Sequence, residues 1–222
     1  MHQPKQHVLE SFFAFTQALG IQERVLRWDI PIPEEARTTL RRHLPSGKDY
    51  LVICPCASVA DRNWDPLRYA QVASHAHARH GLAIVLCGGA SELEFTYGRL
   101  ITEHAQCPVT NLIGMTDLKQ LLALLQGARL VLAPDSGPAH LANAVGTPVI
   151  GLYAATNPDR ARPYNWPGLV VNRYPEAVHS KYGKDLNELP WGVRVRDPAA
   201  MQHIGVADVT AVLDNFLQGT TL

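Results

Sequence analysis

Residues 129–153, RLVLAPDSGPAHLANAVGTPVIGLY, decide the fold. The run RLVLA (129–133) and the run PVIGLY (148–153) are apolar throughout, as expected of strands covered on both faces. Between them Pro138 sits near the start of a short helix and Gly146 marks its stop. Strand, helix and strand in so short a span predict a parallel βαβ unit. Asp135, Ser136 and Gly137 stand where the strand turns into the helix. An acid there can complement the helix dipole. The same spot is also where α/β folds hold a ligand phosphate. Asp135 beside a phosphate would repel it, unless its carboxylate accepts amide bonds that shape the turn or a sugar hydroxyl.

Similar runs lie upstream and downstream: YLVIC (50–54), LAIVLC (82–87), VTNLI (109–113) and LVVN (169–172). Helical patterns separate most of them. Residues 65–81 have proline early and glycine last. Residues 91–104 open with Ser91 and Glu94 in capping-box spacing. Residues 116–128 place Leu118, Leu121, Leu122 and Leu125 on one face. The economical architecture is an α/β, Rossmann-like, doubly wound parallel sheet. Ligands of such sheets sit beyond the carboxyl ends of the strands.

The ends differ from this middle. Residues 5–19 predict an amphipathic helix with Val8, Leu9, Phe12, Phe13 and Leu19 apolar. A proline-bearing linker, WDIPIPEEARTTLRRHLPSGKD, leads to the first strand, and residues 206–218 predict another amphipathic helix. Residues 1–48 therefore read as an N-terminal helix and linker, and 49–222 as the Rossmann-like domain with its C-terminal helix.

Composition narrows the function classes. In 222 residues, 20 Lys and Arg balance 20 Asp and Glu, so no net field recommends nucleic acid as a partner. The N-terminus lacks the long uncharged run of a signal peptide or spanning helix. Cys54, Cys56, Cys87 and Cys107 follow no zinc or redox spacing and suit a reducing cytoplasm. His75, His77 and His80 cluster, but only His77 and His80 are expected to share a face. A solvated helix end is preferred there to a metal site, because zinc requires more ligands.

Three loops should open on one edge of the sheet. In PCASVADRNW, small residues including Ser58 admit a phosphate and Arg62 supplies a forked charge. In CGGASELE, Gly88 and Gly89 permit a tight turn. Glu92 in the first helical turn could bind a ribose diol or complement the helix dipole, while Glu94 fits the capping box. The glycine spacing fails the dinucleotide fingerprint, which counts against a dehydrogenase. In the third loop His140 lies one turn into the helix, and no nucleophile elbow surrounds Ser136.

Residues 55–73, 85–94 and 111–164 together resemble glycosyltransferase family nine, the heptosyltransferases of lipopolysaccharide core assembly. The Asp-Ser-Gly-Pro-x-His turn, the Gly-Thr-Pro strand start and the Thr-x-Pro loop keep family order. The likeness is close over 50–165 and weaker towards residue 7 and the C-terminal helix. It implies a GT-B enzyme that transfers heptose from ADP-heptose to a lipid A-core acceptor at the cytoplasmic face of the inner membrane. No metal and no cofactor are implied. It also implies donor-binding roles: Ser58 and Arg62 at the phosphates, Glu92 at the ribose and Met115 near the adenine. Asp135, Ser136, Gly137 and His140 form the diphosphate and sugar turn, with Thr156 in the loop beyond. The family's usual lysine is Arg62 here, and YAATNP (153–158) replaces Gly-Pro-Thr-x-Pro. The resemblance implies that this is the C-terminal, donor-binding half, without the domain that supplies the catalytic base. Self-association or a separate N-terminal half is expected. The alternatives are a non-catalytic nucleotide-sugar-binding module and a transferase for another nucleotide sugar.

Overall fold

Each of the six apolar runs forms a strand: β1 (Tyr50–Ile53), β2 (Ala83–Leu86), β3 (Val109–Asn111), β4 (Leu130–Pro134), β5 (Val149–Tyr153) and β6 (Val170–Asn172). The computed structural model describes residues 5–44 and 47–219. The tips of both predicted segments, residues 1–4, 45–46 and 220–222, lie outside the described residues. The strands make one parallel sheet in the order β3-β2-β1-β4-β5-β6, with Leu51 opposite Ile84 on one side and Leu130 on the other. This is the doubly wound order in which the winding direction reverses between β1 and β4.

The continuous apolar runs have a plain cause. Successive strand side chains point to opposite faces, and both faces are covered. Leu51, Ile53, Ile84, Leu86, Leu130 and Leu132 enter one core. Val52, Cys54, Val85, Cys87, Val131 and Ala133 enter the other. Helices α3 (Pro66–His80), α4 (Glu92–His104), α8 (Tyr174–Tyr182) and α9 (Val206–Leu217) cover the first face. Helices α2 (Glu34–Arg41), α5 (Leu118–Gly127) and α6 (Gly137–Ala144) cover the second.

Local signals set the helix limits. The Asp65 carboxylate caps α3 by accepting from the Leu67 amide, Pro66 opens the helix, and Gly81 closes it at φ 69°. Asp117 and Gln120 form a reciprocal capping box on α5. The chain read as a linker contains α2, whose Ala36 and Leu40 pack one turn apart. A further short helix, α7 (Pro158–Ala161), follows β5.

The predicted N-terminal helix is α1 (Val8–Ala18), and none of its residues is buried. Phe12, Phe15 and Leu19 are exposed, and Ile21, Val25 and Leu26 extend the apolar stripe. The helix is tied down at its polar side. His7 Nε2 meets the Arg162 carbonyl at 2.9 Å, and Glu10 accepts from Arg24 and Tyr164. The C-terminal helix behaves differently, because Val209 and Leu213 of α9 are buried against the rest of the domain. Both were expected to be amphipathic; α9 buries its apolar residues, whereas α1 leaves Phe12 and Phe15 exposed.

One expectation about α3 fails. His77 turns to the Leu82 carbonyl at 2.9 Å, whereas His75 and His80 both reach Asp214 of α9. The carboxylate arriving from another helix sets which imidazoles meet, and sequence spacing within α3 does not report it. Among the described residues no helix is long and apolar enough to cross a membrane.

Candidate ligand-binding site at the carboxyl edge of the sheet

A cavity of about 900 Å³ opens where the loops after β1, β2 and β4 meet the start of α5. It lies over the β1–β4 reversal, where the two neighbouring loops diverge and leave a crevice. Six of the nine sequence-predicted residues line it: Ser58, Arg62, Asp135, Ser136, Gly137 and His140.

Asp135 is held by side chains and not by the amides of its turn. Arg62 Nη1 lies 3.3 Å from Asp135 Oδ2 and also donates to the Asp135 carbonyl at 3.1 Å. His140 Nε2 stands 3.7 Å from Asp135 Oδ1, an electrostatic contact longer than a hydrogen bond. Burial alone would raise the Asp135 carboxyl, but His140, Arg62 and the Thr156 hydroxyl outweigh it and hold the group below its ordinary value. Asp135 therefore stays ionised at neutral pH with its charge matched by Arg62. The anticipated repulsion of a phosphate is largely cancelled before any ligand arrives.

Ser136 occupies the N-cap position of α6, yet its side chain makes no capping hydrogen bond. The hydroxyl is buried and has no partner. A buried hydroxyl left unpaired is costly, and serine at this position ordinarily spends it on the helix. The residue itself borders the cavity, at the positive end of α6. Next to it Gly137 has no atom within 4 Å of where a Cβ would project, so ligand atoms have room against the backbone.

The second loop departs from expectation. Glu92 is exposed and stands outside the lining, while Glu94, two residues on, lines the cavity. Glu94 Oε1 accepts from the Gly89 amide at 2.8 Å, and Oε2 accepts from the Ser91 hydroxyl at 3.0 Å. A Cβ on Gly88 or Gly89 would lie 2.8 Å from that carboxylate. The paired glycines are thus explained by the approach of Glu94. Gly88→Ala should displace the carboxylate and cost about 0.5–1.5 kcal/mol, the worth of a hydrogen bond. Glu94→Ala should cost a similar amount, and the double variant no more than either. Urea denaturation checks this, and additive losses would show that Gly88 and Glu94 act independently.

Met115 and Thr156 also lie outside the main lining. Met115 is exposed, and its neighbour Thr116 lines the cavity instead, with its hydroxyl 3.3 Å from Cys87 Sγ. Thr156 is buried in a side recess that it shares with Arg62, Asp135 and Arg160. The loop after β5 thus joins the site through the Arg62–Asp135 pair. Sequence reading missed Thr116 and the thiols of Cys54, Cys56 and Cys87 in the lining. Burial raises all three, Cys56 to about 12, so they are neutral, small groups and poor nucleophiles.

Residues 1–200 match the profile of the family described as glycosyltransferase family 9 (heptosyltransferase). The lipopolysaccharide core heptosyltransferase OpsX of Haemophilus influenzae is 38% identical over 203 residues, covering 91% of this chain and 58% of that protein. A glycosyl transferase family 9 structure from Veillonella parvula superposes with a TM-score of 0.76 at 20% identity, over 99% of this chain and 62% of that one. The E. coli heptosyltransferase WaaC, solved with ADP, superposes with a TM-score of 0.60 at 19% identity, over 99% of this chain and 58% of its own. At that identity the two structures speak for the fold. The chain spans about three fifths of the length of these proteins. Because the matched region takes in the whole sheet and every loop of the cavity, the chain belongs to glycosyltransferase family 9.

Proposed function

We propose that this chain carries the donor-binding half of a heptosyltransferase of GT-B architecture, acting in lipopolysaccharide core assembly. In this reading residues 49–222 form the nucleotide-sugar domain, and residues 1–48 belong to the junction with an acceptor-binding unit. The donor is ADP-heptose and the acceptor a lipid A-core sugar. The bond between the heptose anomeric carbon and the β-phosphate oxygen breaks, an acceptor hydroxyl takes the sugar and gives its proton to a base on the acceptor-binding unit, and ADP departs with the electron pair. Arg62 and the α6 N-terminus stabilise the charge that develops on that oxygen. The Ser136 hydroxyl donates to a phosphate oxygen, Gly137 lets the diphosphate approach the backbone, and Ser58 faces it from the first loop. His140 and Thr156, on either side of Asp135, border the sugar. The nucleoside extends towards Glu94 and Thr116, with Glu92 and Met115 at its outer rim. The exposed stripe on α1 and residues 21–26 is the surface for the acceptor-binding unit or for a second copy of the chain, at the cytoplasmic face of the inner membrane.

The observation that carries this reading is the buried, unpartnered Ser136 hydroxyl at the head of α6, beside a charge-matched Arg62. Titration calorimetry with ADP tests it. ADP should bind the folded chain, and Ser136→Ala should weaken it by about tenfold, as expected for one hydrogen bond to a charged group. Full ADP affinity in Ser136→Ala would remove the serine from the phosphate site. Absence of ADP binding by the folded wild-type chain would remove the donor assignment as a whole.

A further inference from the structure

We propose that His75 and His80 of α3, with Asp214 of α9, bind one divalent transition-metal ion of the zinc class at a site separate from the cavity. His75 Nε2 and His80 Nε2 stand 2.8 and 2.6 Å from the same oxygen, Asp214 Oδ1. The three ligand atoms lie within 4.8 Å of one another. The other carboxylate oxygen, Oδ2, is held by Arg79 Nε at 3.2 Å, which fixes the orientation of the group and leaves Oδ1 free to act as a single ligand.

Two imidazole nitrogens and one carboxylate oxygen form a three-ligand tetrahedral set, to which water adds the fourth ligand. Imidazole favours zinc, copper, nickel and cobalt over magnesium and calcium. Tetrahedral coordination with bonds near 2.0 Å places ligand atoms about 3.3 Å apart. The two contacts to Oδ1 would have to open by roughly 0.5–0.7 Å, which small rotations of partly exposed side chains provide. Arg79 opposes the added positive charge, but it is half exposed and therefore screened. No sequence window contains the site, because its third ligand lies 134 residues beyond His80.

Its place in the fold sets its consequence. His80 immediately precedes the Gly81 turn into β2, so the cluster lies at the amino edge of the sheet, away from the cavity. A metal there would pin α9 to α3.

The test uses the full chain freed of metal by a chelator, with Co²⁺ followed by visible absorption and Zn²⁺ added in competition. One ion per chain is expected. His75→Ala and Asp214→Asn should each weaken it by about tenfold or more. His104→Ala, on α4, should bind as wild type does. At 100-fold excess over the wild-type dissociation constant, Zn²⁺ should raise the wild-type Tm by about 5–10 °C and that of the two variants by about half as much or less. Equal affinity in wild type and His75→Ala, or no binding below about 1 mM, would overturn the site. ADP titrations of the same variants keep this outcome apart from the donor assignment, since none of the three residues lines the cavity.

Discussion

Replacing Arg62 by alanine should weaken ADP binding by about 100-fold, the upper end of the range for losing a hydrogen bond to a charged group. Two effects combine. The phosphate loses its cation, and Asp135 is left in the cavity wall without the guanidinium that stands 3.3 Å away. Both side chains are largely buried, with relative exposures of 17% and 11%, so solvent compensates little. The second effect can be isolated. In an Asp135→Ala background no stranded carboxylate remains, and the penalty for losing Arg62 should shrink several-fold. Titration calorimetry on the four proteins of this cycle, with circular dichroism to confirm folding, gives the coupling directly. Equal ADP affinity in wild type and Arg62→Ala would remove Arg62 from the phosphate site. Equal penalties in both backgrounds would mean that Asp135 and Arg62 do not act as a pair.

Trp64→Ala should cost about 3–5 kcal/mol of stability, and roughly 6–20 °C in Tm for a protein of this size. Trp64 has no exposed surface, stacks edge-on to Tyr69 with centroids 5.0 Å apart, and donates from Nε1 to the Ile204 carbonyl at 3.0 Å. Arg68 donates to the same carbonyl, so that oxygen keeps a partner when the indole is lost. The cost should therefore come mainly from the cavity left behind. Trp64→Phe, which refills much of the volume without the N–H, should recover more than half of the loss. Thermal unfolding of both variants checks this. If phenylalanine were no better than alanine, the hydrogen bond would be the dominant contribution.

The sheet was legible because its central runs, β1, β2, β4 and β5, are buried throughout and supply two cores at once, and fully covered strands read as unbroken apolar stretches. The helix limits were legible where a side chain declares them, as Asp65, Ser91 and Asp117 do. Helix α2 was not, since Ala36 and Leu40 are its only buried residues and prolines precede it. The site was legible as loops and less so as contacts. Ser136, Gly137 and Arg62 were found from the turn and the charge. The pairing of Arg62 with Asp135 spans 73 residues and has no local signature. The choice of Glu94 over Glu92 rests on which acid the glycine turn allows to fold back, a matter of side-chain direction that spacing does not encode.

The hydrogen bond from Trp64 to the Ile204 carbonyl also bears on how the protein emerges from the ribosome. Trp64 ends the loop that carries Arg62, and its partner is translated 140 residues later. At ordinary elongation rates that interval is roughly 7–30 s. Throughout it, the indole N–H lacks its native acceptor, and the α3 face that will receive α9 is uncovered. The nascent chain can pair its central strands in that time, yet the Arg62 loop is locked only when residue 204 arrives. The Arg62 side of the cavity should thus be completed as a late event of synthesis, and the uncovered α3 face is where a chaperone would act.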